Sequence, residues 1–141
     1  MSSEYKSRIG TLSCTPGEAF YFVTDIRNLK QFIPGGTISN LMVEKDSCSF
    51  DVSMLGTVNI NIAEKKMPDS VTYSGRALNI NDFSLVLDIS ETENNKANAA
   101  VTLLADMNPF MKMVAEKPIL QFLETLINGM EKFGGWKDVK G

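Results

Sequence analysis

The sequence predicts an α+β protein: an antiparallel sheet with one face covered by a long C-terminal helix. Three observations carry this. Residues 39–106 divide into six consecutive segments that alternate apolar with polar residues, separated by short turn signals. Residues 107–136 change to the period of a helix. Residues 15–36 carry helix start and stop signals close together, so the helices there are short.

The elements follow in chain order. Residues 4–14, with Tyr5, Ile9 and Leu12, read as an opening strand. Thr15 is an N-cap, Pro16 suits the first helical position, and Glu18 stands at the capping-box offset, so a short helix starts here with Phe20 and Val23 on its apolar side. A second short helix through Leu29 and Phe32 is stopped by Pro34, Gly35 and Gly36. Those glycines lack the lysine and spacing of a phosphate-binding loop.

Six strand segments come next, over residues 39–46, 47–55, 56–67, 69–78, 82–93 and 95–106, making seven with the first. Turns near Leu55-Gly56, Pro68-Asp69 and Asn94 are short, which implies an antiparallel meander. Phe50, Val52 and Met54 share one face; so do Val58, Ile60 and Ile62; so do Phe83, Leu85, Leu87 and Ile89; so do Ala99, Val101 and Leu103. Asn59 and Asn61 fall on the opposite, wet face.

The C-terminal helix opens on Asn108-Pro109, ends at Gly134-Gly135, and contains Pro118. From Pro118 on, Ile119, Phe122, Leu123, Leu126, Ile127, Met130 and Phe133 occupy an arc of roughly 140° at about 100° per residue. Extended backward on a straight axis, the same stripe would take in Lys112 and Glu116, whose unpaired burial is expensive. Pro118 cannot donate to the Val114 carbonyl, so the sequence predicts a kink that gives each segment its own apolar face.

Composition narrows the function. The chain has 141 residues, enough for one domain spanning 1–141, with 43% hydrophobic and 22% charged residues. Net charge is -3 and no basic run exists, so nucleic acid is not an expected partner. There is no histidine. That removes Ser-His and Cys-His nucleophile pairs, His-ligated metals and the usual general base, so any chemistry would have to use Asp, Glu, Lys, Tyr, Arg or an added cofactor; the expectation is no metal and no cofactor. Cys14 and Cys48 lack metal-ligand spacing and read as buried reduced thiols. The polar N-terminus and the lack of an apolar run near the roughly 20 residues that span a bilayer lead to a cytoplasmic expectation.

The stretch "GEAFYFVTDIRNLKQFIPG", with Phe20, Phe22, Asp25, Phe32 and Pro34, resembles the START-related SRPBCC superfamily, whose polyketide cyclase/dehydratase-like members open in this way. Members often carry Trp where Phe32 stands. The resemblance in element order covers essentially the whole chain. It implies a helix-grip fold, in which a seven-stranded antiparallel sheet wraps a long kinked C-terminal helix around a hydrophobic cavity. It also implies binding of lipids, sterols or polyketides, catalysis as a cyclase or dehydratase, or a co-chaperone role.

A curved sheet and one helix leave volume between them, and Met111, Met113 and Met130 suit an adaptable lining. The expected cavity wall is Phe32, Val52, Met54, Ile60, Tyr73, Phe83, Leu85, Leu87, Val101 and Leu103, closed by Met111, Val114, Phe122 and Leu126 from the helix. Arg76 is the candidate contact for an acidic head group, although it lies on the face opposite Tyr73. Asp25 is expected to brace the junction of the short helices. The first reading is therefore carriage of an apolar small molecule. The alternatives are an enzyme using Tyr73 or a cavity carboxylate, and a protein-interaction module; a homodimer is compatible with each.

Overall fold

A computed structural model describes residues 2–29, 32, 38–52, 56–67, 69–77, 80–134 and 136. The turn residues Leu55 and Pro68, the helix stop at Pro34 and the expected cavity residue Met54 lie outside this set. Thr15 opens α1 (Pro16–Val23): its hydroxyl accepts from the Glu18 N–H at 3.2 Å, and the Glu18 carboxylate accepts from the Thr15 N–H at 2.9 Å. That reciprocal pair is the capping box the sequence predicts. α2 (Ile26–Leu29) follows after a two-residue corner.

The six middle segments form β3 (Ile38–Val43), β4 (Ser47–Val52), β5 (Gly56–Lys66), β6 (Ser70–Ala77), β7 (Ile80–Glu91) and β8 (Ala97–Asp106). Each pairs antiparallel with the next. The opening strand differs from expectation. It is split into β1 (Ser2–Lys6) and β2 (Gly10–Thr11), both paired with β8, so the sheet has eight strands. Its order is β1-β8-β7-β6-β5-β4-β3, with β2 beside β8.

Ser7 explains the split. Its hydroxyl accepts from the Val101 N–H at 2.9 Å, taking the place of a ladder carbonyl, and donates to the Arg8 carbonyl at 2.8 Å. The chain then steps out of the ladder, and Arg8 reaches α3 (Pro109–Lys132). There its guanidinium donates to Glu124 at 3.2 Å, to Glu131 at 2.6 Å and to the Asn128 side chain. Glu131 also accepts from the Thr11 N–H at 3.1 Å. A Cβ on Gly10 would stand 2.8 Å from Ile127 Cγ2, so only glycine lets β2 approach the helix this closely.

The strand faces fall as alternation requires. Phe83, Leu85, Leu87 and Ile89 are buried, as are Ala99, Val101 and Leu103, while Asn59 and Asn61 are exposed. The register slips between Ile62 and Glu64 on β5 and between Arg76 and Ala77 on β6. Such irregularities bend strands and tighten their twist, which helps a sheet curl around a helix.

α3 starts as predicted: the Asn108 side chain accepts from the Met111 N–H at 2.8 Å, with Pro109 in the first turn. The helix then runs through Pro118 as one element. Lys112 and Glu116 remain exposed, and the inward side passes from Met111, Val114 and Ala115 to Ile119, Leu123, Ile127 and Met130. One expectation fails. The first segment does not bury its larger apolar residues, since Phe110 is 71% and Met113 81% exposed. The helix ends at Lys132, just before Gly134, and Trp136 folds back to complete exclusion from solvent at 1% exposure.

Candidate ligand cavity

Between the inner face of the sheet and α3 the side chains leave a partly open gap of about 60 Å³. The sheet supplies Cys48 and Phe50 from β4, Ile60 from β5, Tyr73 from β6, Leu85 and Leu87 from β7 and Val101 from β8. Phe122, Leu126 and Met130 of α3 close it, with Ile26 of α2 at the margin. These positions are one consequence of parity: cross-strand neighbours Tyr73 and Leu85, or Leu87 and Val101, must face the same way.

Of the residues expected to line a cavity, Ile60, Tyr73, Leu85, Leu87, Val101, Phe122 and Leu126 meet at this gap. The others do not. Phe32 packs among aromatic rings, with Phe22, Phe133 and Trp136 centroids 5.9, 5.3 and 5.7 Å away. Phe83 brings the tip of its ring over Gly75, so close that a Cβ there would stand 2.4 Å from Cζ. Val52 and Met111 are half-buried against the core, Val114 is half-buried on α3, and Leu103 is buried opposite Tyr5.

Arg76 stands on the outer face, exposed, and its Nε donates to Asp82 at 2.9 Å. The reason is again parity: Tyr73 points inward, so a residue an odd number of positions along points out, and the β6–β7 register sets Asp82 opposite. Arg76 therefore has no access to the gap under α3. It borders a broad open depression of about 600 Å³ on the outer face, with Asn59, Asn61, Ser74 and Ser84. That depression is larger but solvated and ion-paired; the gap under α3 is the apolar space.

Met130, which the sequence marks as suited to an adaptable lining, is in the wall, and so are Ile26, Cys48 and Phe50, which were not expected there. Phe50 and Cys48 follow from β4 alternation. Ile26 does not, because its place depends on how α2 docks: its N–H donates to the Lys45 carbonyl at 2.8 Å, on the turn between β3 and β4.

The groups in the gap that can ionise are held neutral. Burial pushes the Cys48 thiol up to about 11, and burial likewise raises Tyr73 far above the usual phenol range. The Tyr73 hydroxyl donates to the Val23 carbonyl at 2.6 Å, tying β6 to the end of α1. Cys14 and Cys48 are both free and buried. Among the described residues no group of three or more His, Cys, Asp or Glu could hold a metal ion. No helix among them is long and apolar enough to cross a membrane.

Asp25 braces the helix junction as expected. Its carboxylate is 4% exposed and accepts from the Arg27 N–H at 3.0 Å and from the Arg27 guanidinium at 2.6 and 2.9 Å. Beside it, the buried Asn28 side chain donates to the Phe22 carbonyl at 3.0 Å. The Arg27 side-chain hydrogen bonds lower the Asp25 pKa below the ordinary carboxylate value, outweighing burial. A folded pKa below the unfolded one, about 3.9, gives stability that is present above that value and lost as pH falls through the folded pKa. Asp25→Ala is thus expected to lower neutral-pH stability by about 1–2 kcal/mol, through loss of the α2 cap, and to flatten the acid limb of stability against pH. Urea denaturation from neutral pH into the acid range reads both effects.

No protein-family model matches the chain, and no curated protein sequence matches it. Solved structures do. The di-domain ARO/CYC protein StfQ from the steffimycin biosynthetic pathway superposes over 98% of this chain with a TM-score of 0.72 at 9% identity. The chain spans about half of StfQ, 52% of its length. Truncated norcoclaurine synthase from Thalictrum flavum matches over 94% of this chain and 92% of its own, with a TM-score of 0.70 at 6% identity. Protein Ms6760 from Mycobacterium smegmatis matches over 92% and 88%, with a TM-score of 0.66 at 11% identity. This is the helix-grip fold. It is the fold of the SRPBCC-type proteins that the sequence resembles, and at these identities the likeness concerns architecture. In the helix grip of this chain, α3 is the gripped element and the gap lies on its inward side.

Proposed function

We propose that this chain binds and carries an apolar small molecule, lipid-like, sterol-like or polyketide-like, in the space between the sheet and α3. The supporting observation is a gap in an otherwise close-packed interior, bounded by apolar side chains together with the neutral Cys48 and Tyr73. Drug-sized ligands occupy roughly 300–1,000 Å³, so a gap of about 60 Å³ must widen to take one. The half-buried wall residues Phe122 and Leu126 of α3 and Ile60 of β5 are those able to yield. Pro118 lies one turn before Phe122 and leaves the Val114 carbonyl without its helical donor, which makes α3 locally deformable there.

Carriage is favoured over catalysis because, among its described wall residues, the gap supplies no group poised for proton transfer near neutral pH: the Tyr73 hydroxyl is engaged with Val23, and the Cys48 thiol is raised. Free thiols at Cys14 and Cys48 support a reducing, cytoplasmic setting. Native mass spectrometry of protein purified without denaturant, paired with titration of an apolar fluorescent dye, tests the reading. A co-purified mass or saturable dye uptake at one site is expected. The absence of both a bound mass and dye uptake would overturn it.

A further inference from the structure

The interior polar inventory points to the kind of molecule that fits. Tyr5 is 6% exposed, and its hydroxyl is buried without a hydrogen-bond partner. It is the only buried side-chain polar atom in that state among the described residues. Burying a hydroxyl that bonds to nothing is unfavourable, so native structures seldom leave one.

Its position is informative. Tyr5 pairs with Leu103, Leu103 with Leu85, Leu85 with Tyr73, and Tyr73 with Ile62. These residues form one row across the inner face of five strands, and Leu85 and Tyr73 in that row are walls of the gap. Leu103 alone separates Tyr5 from Leu85 in the row, a backbone distance of roughly 10 Å at two strand spacings.

Charge is absent from the same interior. Among the described residues the buried polar or charged side chains are Ser3, Asp25 and Asn28. Asp25 is bound to Arg27, and Asn28 to the Phe22 carbonyl. Among the described residues no buried cation faces the gap to pair with an acidic head group, and Arg76 is on the far side of the sheet. An ionised ligand would lie unpaired in an apolar space.

We infer that the ligand is uncharged and carries a hydrogen-bond acceptor, a carbonyl or ether oxygen on an otherwise apolar skeleton, which accepts from the Tyr5 hydroxyl when the gap widens along the Tyr5–Leu103–Leu85 row. The inference rests on the carrier reading above and adds the ligand's charge and its polar anchor.

Matched probes of equal chain length test it: methyl nonyl ketone, undecane and undecanoate at neutral pH, measured by displacement of the apolar dye from wild type and from Tyr5→Phe. In wild type the ketone is expected to bind about fivefold tighter than the alkane, with undecanoate weakest. In Tyr5→Phe the ketone should fall to within about twofold of the alkane while alkane affinity holds. The free variant should melt at the same temperature as wild type or higher, because it loses a hydroxyl without a partner. A lower melting temperature would mean that the hydroxyl has a structural bond, and would overturn the assignment. Undecanoate binding as tightly as the ketone would overturn the uncharged class. An alkane that binds with no ketone preference would overturn this inference alone, whereas failure of all three probes and of the dye itself would overturn the carrier reading with it.

Discussion

Phe22→Ala is expected to lower the unfolding free energy by about 3–5 kcal/mol, the range for truncating a fully buried aromatic side chain. Phe22 is 0% exposed and stands at the centre of an aromatic cluster, with Phe133, Trp136 and Phe32 centroids 5.0, 5.1 and 5.9 Å away. Tilted and edge-on rings at these separations contribute beyond the area they bury. The cluster also does something no single element can. It joins α1, Phe32 beyond α2, Phe133 at the end of α3 and Trp136. Removing Phe22 therefore takes a ring from three partners and loosens α3 at the end that carries Met130 into the gap. Trp136 is the chain's one tryptophan, so its emission reports the event directly. The variant should emit to the red of wild type before denaturation and unfold at lower urea. Unchanged emission and midpoint would show that the rings pack without mutual dependence.

What the sequence could and could not disclose follows from the range of each interaction. Caps and strand faces are local. The Thr15–Glu18 box, the Asn108 cap and the inward set Phe83, Leu85, Leu87 and Ile89 are all settled within a few residues, and they were legible. The break in the first strand was not, because it depends on Ser7 meeting Val101, a residue 94 positions away. The aromatic cluster was half legible: Phe133 belonged to the helix stripe, but the contact of Trp136 with Phe22 joins residues 114 positions apart. Pro118 shows the limit of a helical projection. It placed Lys112 and Glu116 correctly in conflict with the inward stripe, and both are exposed, yet it gave no sign that Phe110 and Met113 would stay in solvent as well. The site behaves alike. Seven expected wall residues converge because parity is a short-range rule, whereas the gap's size is a difference between summed side-chain volumes and the space the sheet encloses. The partner of Arg76, Asp82, was not legible because it is fixed by hairpin register.

That difference in volume is also the most direct handle on function. Val101→Phe is expected to abolish uptake of an apolar ligand, a loss of at least about tenfold in affinity, while leaving the fold intact. Val101 is 1% exposed on β8 and forms part of the gap wall opposite Leu87. The added carbons of a phenyl ring have one place to go that displaces no neighbour, the gap of about 60 Å³. Overfilling a well-packed core costs roughly 1–3 kcal/mol, but filling a void regains dispersion contacts that its lining lacks. The two effects oppose each other, so the melting temperature should stay near that of wild type. A ligand, by contrast, must now displace the new ring as well as Phe122 and Leu126. The pairing of results is what discriminates. Retained stability with lost dye binding places the ligand in the gap. Retained stability with unaltered dye binding places it elsewhere, with the outer depression between Asn59 and Ser84 the next surface to mutate.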